Sequence, residues 1–499
     1  MNIARALERS RRNAPDREAI RFEGASLSYA ELDRAASRAA NAFRALGVDR
    51  GDRVGLFLPN VPSFAVAYLG AQKIGAVAVS LNSLLKRDEV RFILDDSQPL
   101  VVVTTAAQRA NVPDDDLATR PAILITEGEA SGEDRPLAAL LERASDDAPA
   151  IDLEPATPAA ILYTSGTTGS PKGATLSHGN VLSNIEATNR YTAMGAGDRL
   201  LLFLPLFHCF GQNFILMSGL NAGATIVLER RFVMERELDT IGKGGATMLF
   251  GVPTTFIQLW NAGLPEDTFS TIRYCFSAAA PLPVEIARAW EERFGHKIWE
   301  GYGLTETSPF ASYNHEHRHK LGSIGEPIEH VEMRIVGEDG SEVEDGVWGE
   351  IVIRGPNVML GYWNRPEDTA KALAGGWFHS GDIGVRDDEG YFAICDRLKD
   401  MIITSGFNVY PAEVENVLYG HPAVAEAAVF GAPDPVRGEQ VRASVVLRQG
   451  GAATPEELVE FCRARMAGYK APREVDLVAQ IPKSPTGKIL KRVLRGDPV

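Results

Sequence analysis

The stretch Tyr163-Thr164-Ser165-Gly166-Thr167-Thr168-Gly169-Ser170-Pro171-Lys172-Gly173 follows an apolar run, Ala159 to Leu162, that predicts a buried strand. After the strand come glycines and hydroxyl-bearing residues, then a proline, a lysine and another glycine. Glycine lets backbone N–H groups turn toward an anion and lets that anion come close. The hydroxyls can donate to phosphate oxygens, and Lys172 adds a mobile positive charge. A phosphate loop of the Gly-x-x-x-x-Gly-Lys-Ser/Thr kind would open a helix at its lysine. Pro171 and Gly173 argue against a helix there, so the loop is of a different kind. A surface hairpin has a similar composition, so the loop has to be judged with what surrounds it.

On either side of it the chain alternates. Ser28-Tyr29-Ala30-Glu31 is a capping box, and Leu32, Ala36, Ala39, Phe43 and Leu46 follow at helical spacing until Gly47. Val54–Leu58, Val77–Leu81 and Leu100–Thr104 predict strands, with helices at Phe64–Ile74 and Asp88–Asp95 between them. Residues 128–158 are acidic and rich in Ala and Pro, which predicts a surface connection. Beyond the loop, Leu200–Leu204, Ala224–Leu228, Met248–Val252, Ile272–Phe276 and Ile298–Tyr302 again predict strands. The fold class is therefore α/β: a large N-terminal domain of stacked β/α sheets. From Gly322 on, alternating segments with Gly/Asp turns predict a small β-barrel-like segment. After Asp400, helices at Pro411–Leu418 and Thr454–Met466 with strands at Val424–Val429 and Val441–Leu447 predict a small α+β C-terminal domain. The division is expected at 1–398 and 399–499.

On parallel sheets ligands sit beyond the carboxyl ends of the strands. That is where Phe207-His208, Ser277-Ala278-Ala279-Ala280-Pro281 and Gly301-Tyr302-Gly303-Leu304-Thr305-Glu306-Thr307 fall. The net charge of −15 argues against nucleic acid or an anionic membrane as the partner. Four scattered cysteines without a Cys-x-x-Cys speak against disulfides or structural zinc, and no apolar run is long enough for a membrane helix. Met1 to Arg12 lacks the apolar core of a secretory signal and reads as an ordinary surface helix, so a cytoplasmic location is expected.

With five such motifs in order along essentially the whole chain, the sequence resembles the acyl-adenylate-forming superfamily, in particular its acyl-CoA synthetases. The resemblance implies an acid–thiol ligase using ATP, Mg2+ and coenzyme A, with two half-reactions separated by rotation of a mobile C-terminal domain. Thr164, Ser165, Gly166, Thr167, Thr168 and Gly169 with Lys172 match the loop that grips the ATP phosphates. Ala279, Tyr302 and Gly303 match the adenine side, while Asp382 and Arg397 match the ribose-binding positions. Thr305 and Glu306 match the catalytic motif, with Glu306 and Thr167 toward the metal. Lys488, in Pro485-Thr486-Gly487-Lys488, matches the lysine that bridges the acid and the α-phosphate, and Lys399 the hinge. Ser405, Gly406 and Phe407 match the CoA-facing loop.

The acid pocket is expected at Phe207, His208, Gly251, Val252, Ala278 and Leu304; where Ala278 stands the family more often has glycine. The segments around these residues carry no Lys or Arg, which disfavours a dicarboxylate such as malonate, although Arg318, His319 and Lys320 lie just beyond. Pro205-Leu206-Phe207-His208-Cys209-Phe210-Gly211-Gln212 resembles the form found in medium- and long-chain fatty acyl-CoA synthetases. A fatty acid is the first expectation, and an aromatic acid such as a cinnamate or benzoate the next. Transfer to a carrier-protein thiol and a homologue without chemistry are the rivals. A homodimer is compatible with the resemblance and is not readable from the residues.

Overall fold

The computed structural model describes residues 1–499 apart from 115–116, 165–170, 398–399, 405–406, 435–436, 485–486, 488 and 497–499. For 395–397, 407 and 408 it describes the backbone alone. Lys399, Lys488, Ser405, Gly406 and the loop residues Ser165, Gly166, Thr167, Thr168 and Gly169 therefore lie outside the described residues, as do the side chains of Arg397 and Phe407.

Two large sheets carry the bulk of the chain. One orders Gly361–Tyr362, Lys172–Ser177, Pro158–Thr164, Val77–Ser80, Arg53–Phe57, Val101–Thr104, Ala122–Ile125 and Arg135–Pro136. The other orders Glu326–Pro327, Phe310–Tyr313, Ile298–Gly303, Tyr274–Ser277, Met248–Gly251, Arg199–Leu202, Thr225–Leu228, Glu18–Phe22 and Ala25–Ser28. Their central strands are parallel and largely buried, which is why they read as nearly continuous apolar runs. Helix Pro62–Ile74 is buried from Phe64 to Ile74. It crosses Tyr29–Ala45 so closely that a Cβ on Gly70 would lie 2.7 Å from the Ala39 methyl. The capping box at Ser28 and Glu31 is formed as expected.

Glu332–Val336, Gly349–Arg354, Phe378–Arg386 and Phe392–Arg397 make a four-stranded antiparallel sheet, where a barrel-like segment was expected. A further sheet holds Phe407–Val409, Ile402–Thr404, Gly438–Leu447, Val424–Asp434 and Glu474–Leu477, with helices Pro411–Tyr419 and Pro455–Arg463. Thr454 caps the last of these together with Glu457. No described helix is long and apolar enough to cross a membrane.

One expectation holds and one needs correction. Helix Arg5–Asn13 is a surface helix, with Arg5, Arg9, Arg11 and Arg12 exposed and Ala6, Leu7 and Ser10 buried beneath it. Its Glu8 carboxylate lies 2.9 Å from the ammonium of Lys73, itself only 1% exposed, and Asp33 completes the pairing at 2.8 Å. A buried cation needs such partners, and Lys73 holds the Glu8 carboxyl below its ordinary range against the opposing effect of burial. The segment 128–158, by contrast, is not only a surface connection. It contains helix Leu137–Arg143, and Leu137, Ala148, Ala150 and Leu153 are buried. A few apolar residues among acidic ones suffice to dock it.

Candidate active site

Register places the expected site loops side by side. In the second sheet Gly251 stands opposite Ser277, and Ser277 opposite Glu300, on three neighbouring parallel strands. The chain leaves the first two strands side by side at Val252 and Ala278, while the third runs on through Gly303 before Leu304. Ala278 donates its N–H to the Gly251 carbonyl at 3.3 Å, joining two residues expected at the acid pocket. Ala279 follows at φ +73°, a left-handed conformation that L-residues adopt only when their surroundings hold them there. Gly303 is obligatory for a simpler reason: a Cβ there would lie 1.8 Å from the Pro309 carbonyl oxygen.

From the first sheet come Thr164, at the end of Pro158–Thr164, and Lys172, its registered partner at the start of Lys172–Ser177. The chain continues as a strand at Lys172, as the proline and glycine beside it imply. Thr164 Oγ1 donates to the Lys172 carbonyl at 3.4 Å.

The two sheets are strapped together by the segment around Tyr362, which the sequence reading passed over. Tyr362 pairs in register with Ala174, and the Met359 N–H donates to the Glu306 carbonyl at 2.8 Å. The Tyr362 hydroxyl donates to Glu306 Oε1 at 2.8 Å, while the Lys172 ammonium lies 5.4 Å from the centre of its ring. Burial, then the Glu306 charge, pushes the Tyr362 phenol well above its ordinary range, so the hydroxyl keeps its proton as a donor. Lys172 Nζ is in turn 2.7 Å from Asp368 Oδ1.

Glu306 is 8% exposed. One carboxylate beside the positions expected for phosphates suits Mg2+, which is commonly held by one or two carboxylates and substrate phosphates. Among the described residues there is no His/Cys/Asp/Glu cluster of three or more that would form a cage made of protein groups alone. Neighbouring Thr305 is buried and accepts from the Cys209 thiol at 3.7 Å. Burial pushes that thiol up to about 12, making it an inert wall group.

At the positions expected for the nucleoside, Tyr302 and Asp382 are both buried, and the Tyr302 hydroxyl donates to Asp382 Oδ2 at 2.7 Å. Asp382 stands in register with Arg397 on the adjoining antiparallel strand. Tyr302, Asp382 and the Arg397 backbone, far apart in sequence, are thus brought together. Glu300, two residues before Tyr302 on the same strand, is buried. Burial raises its carboxyl to about 8, although the Leu282 N–H at 3.4 Å from Oε2 acts the other way.

Around the expected acid pocket, Phe207 and His208 are half-buried, and His208 Nδ1 accepts the Phe210 N–H at 3.2 Å. Phe210, Phe214, Phe276 and Phe310 pack as a cluster of edge-to-face and tilted pairs. The cations just beyond are engaged elsewhere. Lys320 lies 2.7 Å from Asp387 and 2.6 Å from Glu389, and Arg318 pairs with Glu326 at 3.3 Å and lies over Tyr391. His319 packs its ring against Trp299 at 5.1 Å, and burial lowers its pKa.

The C-terminal portion meets this wall. Thr254 Oγ1, at the start of helix Pro253–Asn261, donates to the Gly487 carbonyl at 3.2 Å. A second contact packs the Tyr410 ring against Trp348, tilted by 60° with centroids 4.3 Å apart. Neither Thr254 nor Asp368 carried a sequence signal, whereas the aromatic pair Tyr362-Trp363 after a glycine could have drawn attention.

The sequence matches two family models: AMP-binding enzyme over residues 7–363, and AMP-binding enzyme C-terminal domain over residues 413–488. The chain belongs to the AMP-binding enzymes. Within that family it is 38% identical to a feruloyl-CoA synthase of an Amycolatopsis species over 98% of this chain and 97% of the relative. It is 35% identical to a long-chain-fatty-acid–CoA ligase of Bacillus subtilis strain 168, over 96% of this chain and 91% of the relative. The structure of ATP-bound MatB from Rhodopseudomonas palustris superposes with a TM-score of 0.92 at 33% identity, covering 99% of each chain. This AMP-binding enzyme is accordingly an acid–thiol ligase of the AMP-forming, acyl-CoA synthetase class.

Proposed function

We propose that the protein activates an apolar monocarboxylic acid, a medium- or long-chain fatty acid in the first instance, and passes the acyl group to coenzyme A. The observation that carries this choice is the engagement of Arg318 and Lys320 with Glu326, Asp387 and Glu389. A second carboxylate on the acid would need a buried counter-charge, and these cations are spent elsewhere. The feruloyl and long-chain fatty acyl groups in the relatives' names agree with one carboxylate on a largely apolar body. An aryl acid is the second reading, favoured by the phenylalanine cluster and by the feruloyl relative.

In the first half-reaction the acid's carboxylate attacks the α-phosphorus of ATP, and pyrophosphate leaves. Thr164, Lys172 and the loop between them hold the β- and γ-phosphates; the Tyr302 ring lies against adenine, and Asp382 with Arg397 accepts the ribose. Glu306 would hold Mg2+, which when bound would supply charge neutralisation at the phosphates. The Tyr362 hydroxyl keeps the Glu306 carboxylate oriented. Lys488 bridges the acid and the α-phosphate, drawing two anions together. In the second half-reaction the CoA thiol attacks the acyl carbonyl and AMP departs. The two steps need different groups at one carbonyl, so the portion from Lys399 onward turns between them and presents Ser405, Gly406 and Phe407 to the pantetheine arm.

The test is CoA-dependent AMP release with a panel of acids from octanoate to palmitate, together with ferulate, benzoate and malonate. Highest kcat/KM for a fatty acid is expected. Preference for malonate would overturn the apolar-acid reading, and acid-dependent ATP–pyrophosphate exchange without transfer to CoA would point to a carrier-protein acceptor.

A further inference from the structure

The ammonium of Lys172 already has an anionic partner inside the protein. Asp368 Oδ1 sits 2.7 Å from Lys172 Nζ, and this contact holds the Asp368 carboxyl below its ordinary range. Asp368 is not a loose surface residue that happens to touch a lysine. It lies in the first turn of helix Pro366–Ala372, and Thr369 of that helix bonds the strand: the Tyr362 N–H donates to Thr369 Oγ1 at 2.9 Å. Tyr362 in turn is fixed by its register with Ala174 and by Glu306. The carboxylate is therefore held against Lys172 by the same strap that joins the two sheets.

We propose that Asp368 is an intramolecular competitor for the Lys172 ammonium, weakening the grip on the β- and γ-phosphates so that pyrophosphate leaves readily. The proposal rests on the reading of Lys172 as a phosphate-binding lysine. An ammonium has three N–H donors and one charge. Every phosphate oxygen that approaches it either displaces the Asp368 carboxylate or shares the cation with it, and in both cases meets like charge nearby. Pyrophosphate concentrates its charge on the oxygens that Lys172 would hold, so it feels that repulsion strongly. AMP has neither phosphate and does not feel it. The pair is partly exposed, with Lys172 14% and Asp368 32% accessible, so screening keeps the effect moderate.

The experiment is calorimetric binding of ATP, pyrophosphate and AMP to the wild type, Asp368→Asn, Asp368→Glu and Lys172→Met, and to the double variant Lys172→Met/Asp368→Asn. Asp368→Asn should tighten pyrophosphate and ATP by about 2- to 5-fold, the range of a partly screened pair, with AMP unchanged and Asp368→Glu close to wild type. The gain should vanish in the Lys172→Met background, where no ammonium remains to compete for. Weaker or unchanged pyrophosphate binding in Asp368→Asn would mean that the carboxylate merely positions the lysine, and would overturn the proposal. Equal tightening of AMP, or a gain that survives Lys172→Met, would overturn it as well. Failure of the ligase reading shows separately, as absence of carboxylate-dependent ATP–pyrophosphate exchange in the wild type, and leaves the binding comparison intact.

Discussion

Glu300→Gln should make the protein more stable at neutral and mildly alkaline pH, and the pH dependence of that gain is the discriminating quantity. Burial raises the Glu300 carboxyl from 4.5 to about 8, so the folded protein retains a proton that the unfolded chain has released between those values. A raised carboxyl stabilises fully below the unfolded pKa, and that contribution is lost as pH rises through the folded one. Each unit is worth about 1.4 kcal/mol, so the whole interval is worth at most about 5 kcal/mol and the span from pH 6 to 8 about 2–3 kcal/mol. The amide is nearly isosteric, keeps an acceptor for the Leu282 N–H and has no proton to lose. At about 2.1 cal/mol/K per residue, a chain of 499 residues shifts its melting point by roughly 1 °C per kcal/mol. Thermal midpoints by circular dichroism, taken as the difference between variant and wild type, should therefore climb by about 2–3 °C from pH 6 to 8. Other titrating groups cancel in that difference. A flat difference across this range would refute the claim that Glu300 is neutral in the folded protein.

Tyr362→Phe removes a hydrogen bond to a charged acceptor, typically worth about 1.5–3 kcal/mol, so adenylation should slow by about 10-fold or more and require more Mg2+; ATP–pyrophosphate exchange against Mg2+ concentration measures both. Thr254→Val deletes the donor to the Gly487 carbonyl and should slow adenylation by about 2- to 10-fold, as expected for one neutral hydrogen bond. Thioester formation from supplied acyl-AMP should be unaffected, and an equal loss in both half-reactions would count against a docking role. Lys488→Ala should cut adenylation by about 100-fold or more while leaving thioester formation largely intact; stopped-flow assay of each half-reaction separates the two.

Much of the fold is written in local patterns. The buried parallel strands announce themselves as apolar runs because both their faces are covered, and Ser28 with Glu31 and Thr454 with Glu457 mark helix starts by their own chemistry. The site loops were legible because strand ends are where such sheets bind ligands, and register does bring Gly251, Ser277 and Glu300 into line. What could not be read were contacts between residues far apart in sequence. Tyr302 with Asp382, Tyr362 with Glu306 and Thr254 with Gly487 depend on how the sheets and the C-terminal portion meet, and no spacing encodes that. The Lys73–Glu8 ion pair was hidden for the same reason: its two members lie on different helices, and no spacing within either one reveals it.

The seat of Gly487 has a practical side. Thr254, which holds the Gly487 carbonyl, and Val252, whose methyl would lie 2.8 Å from a Cβ placed on Gly487, flank the turn that opens helix Pro253–Asn261. Val252 is also where the acid pocket was expected. Reshaping that wall to admit a bulkier acid therefore remodels the landing place of the tail in the same stroke. Turnover number and acid preference should drift together in any library built there, and restoring speed will call for second-site changes in the tail itself.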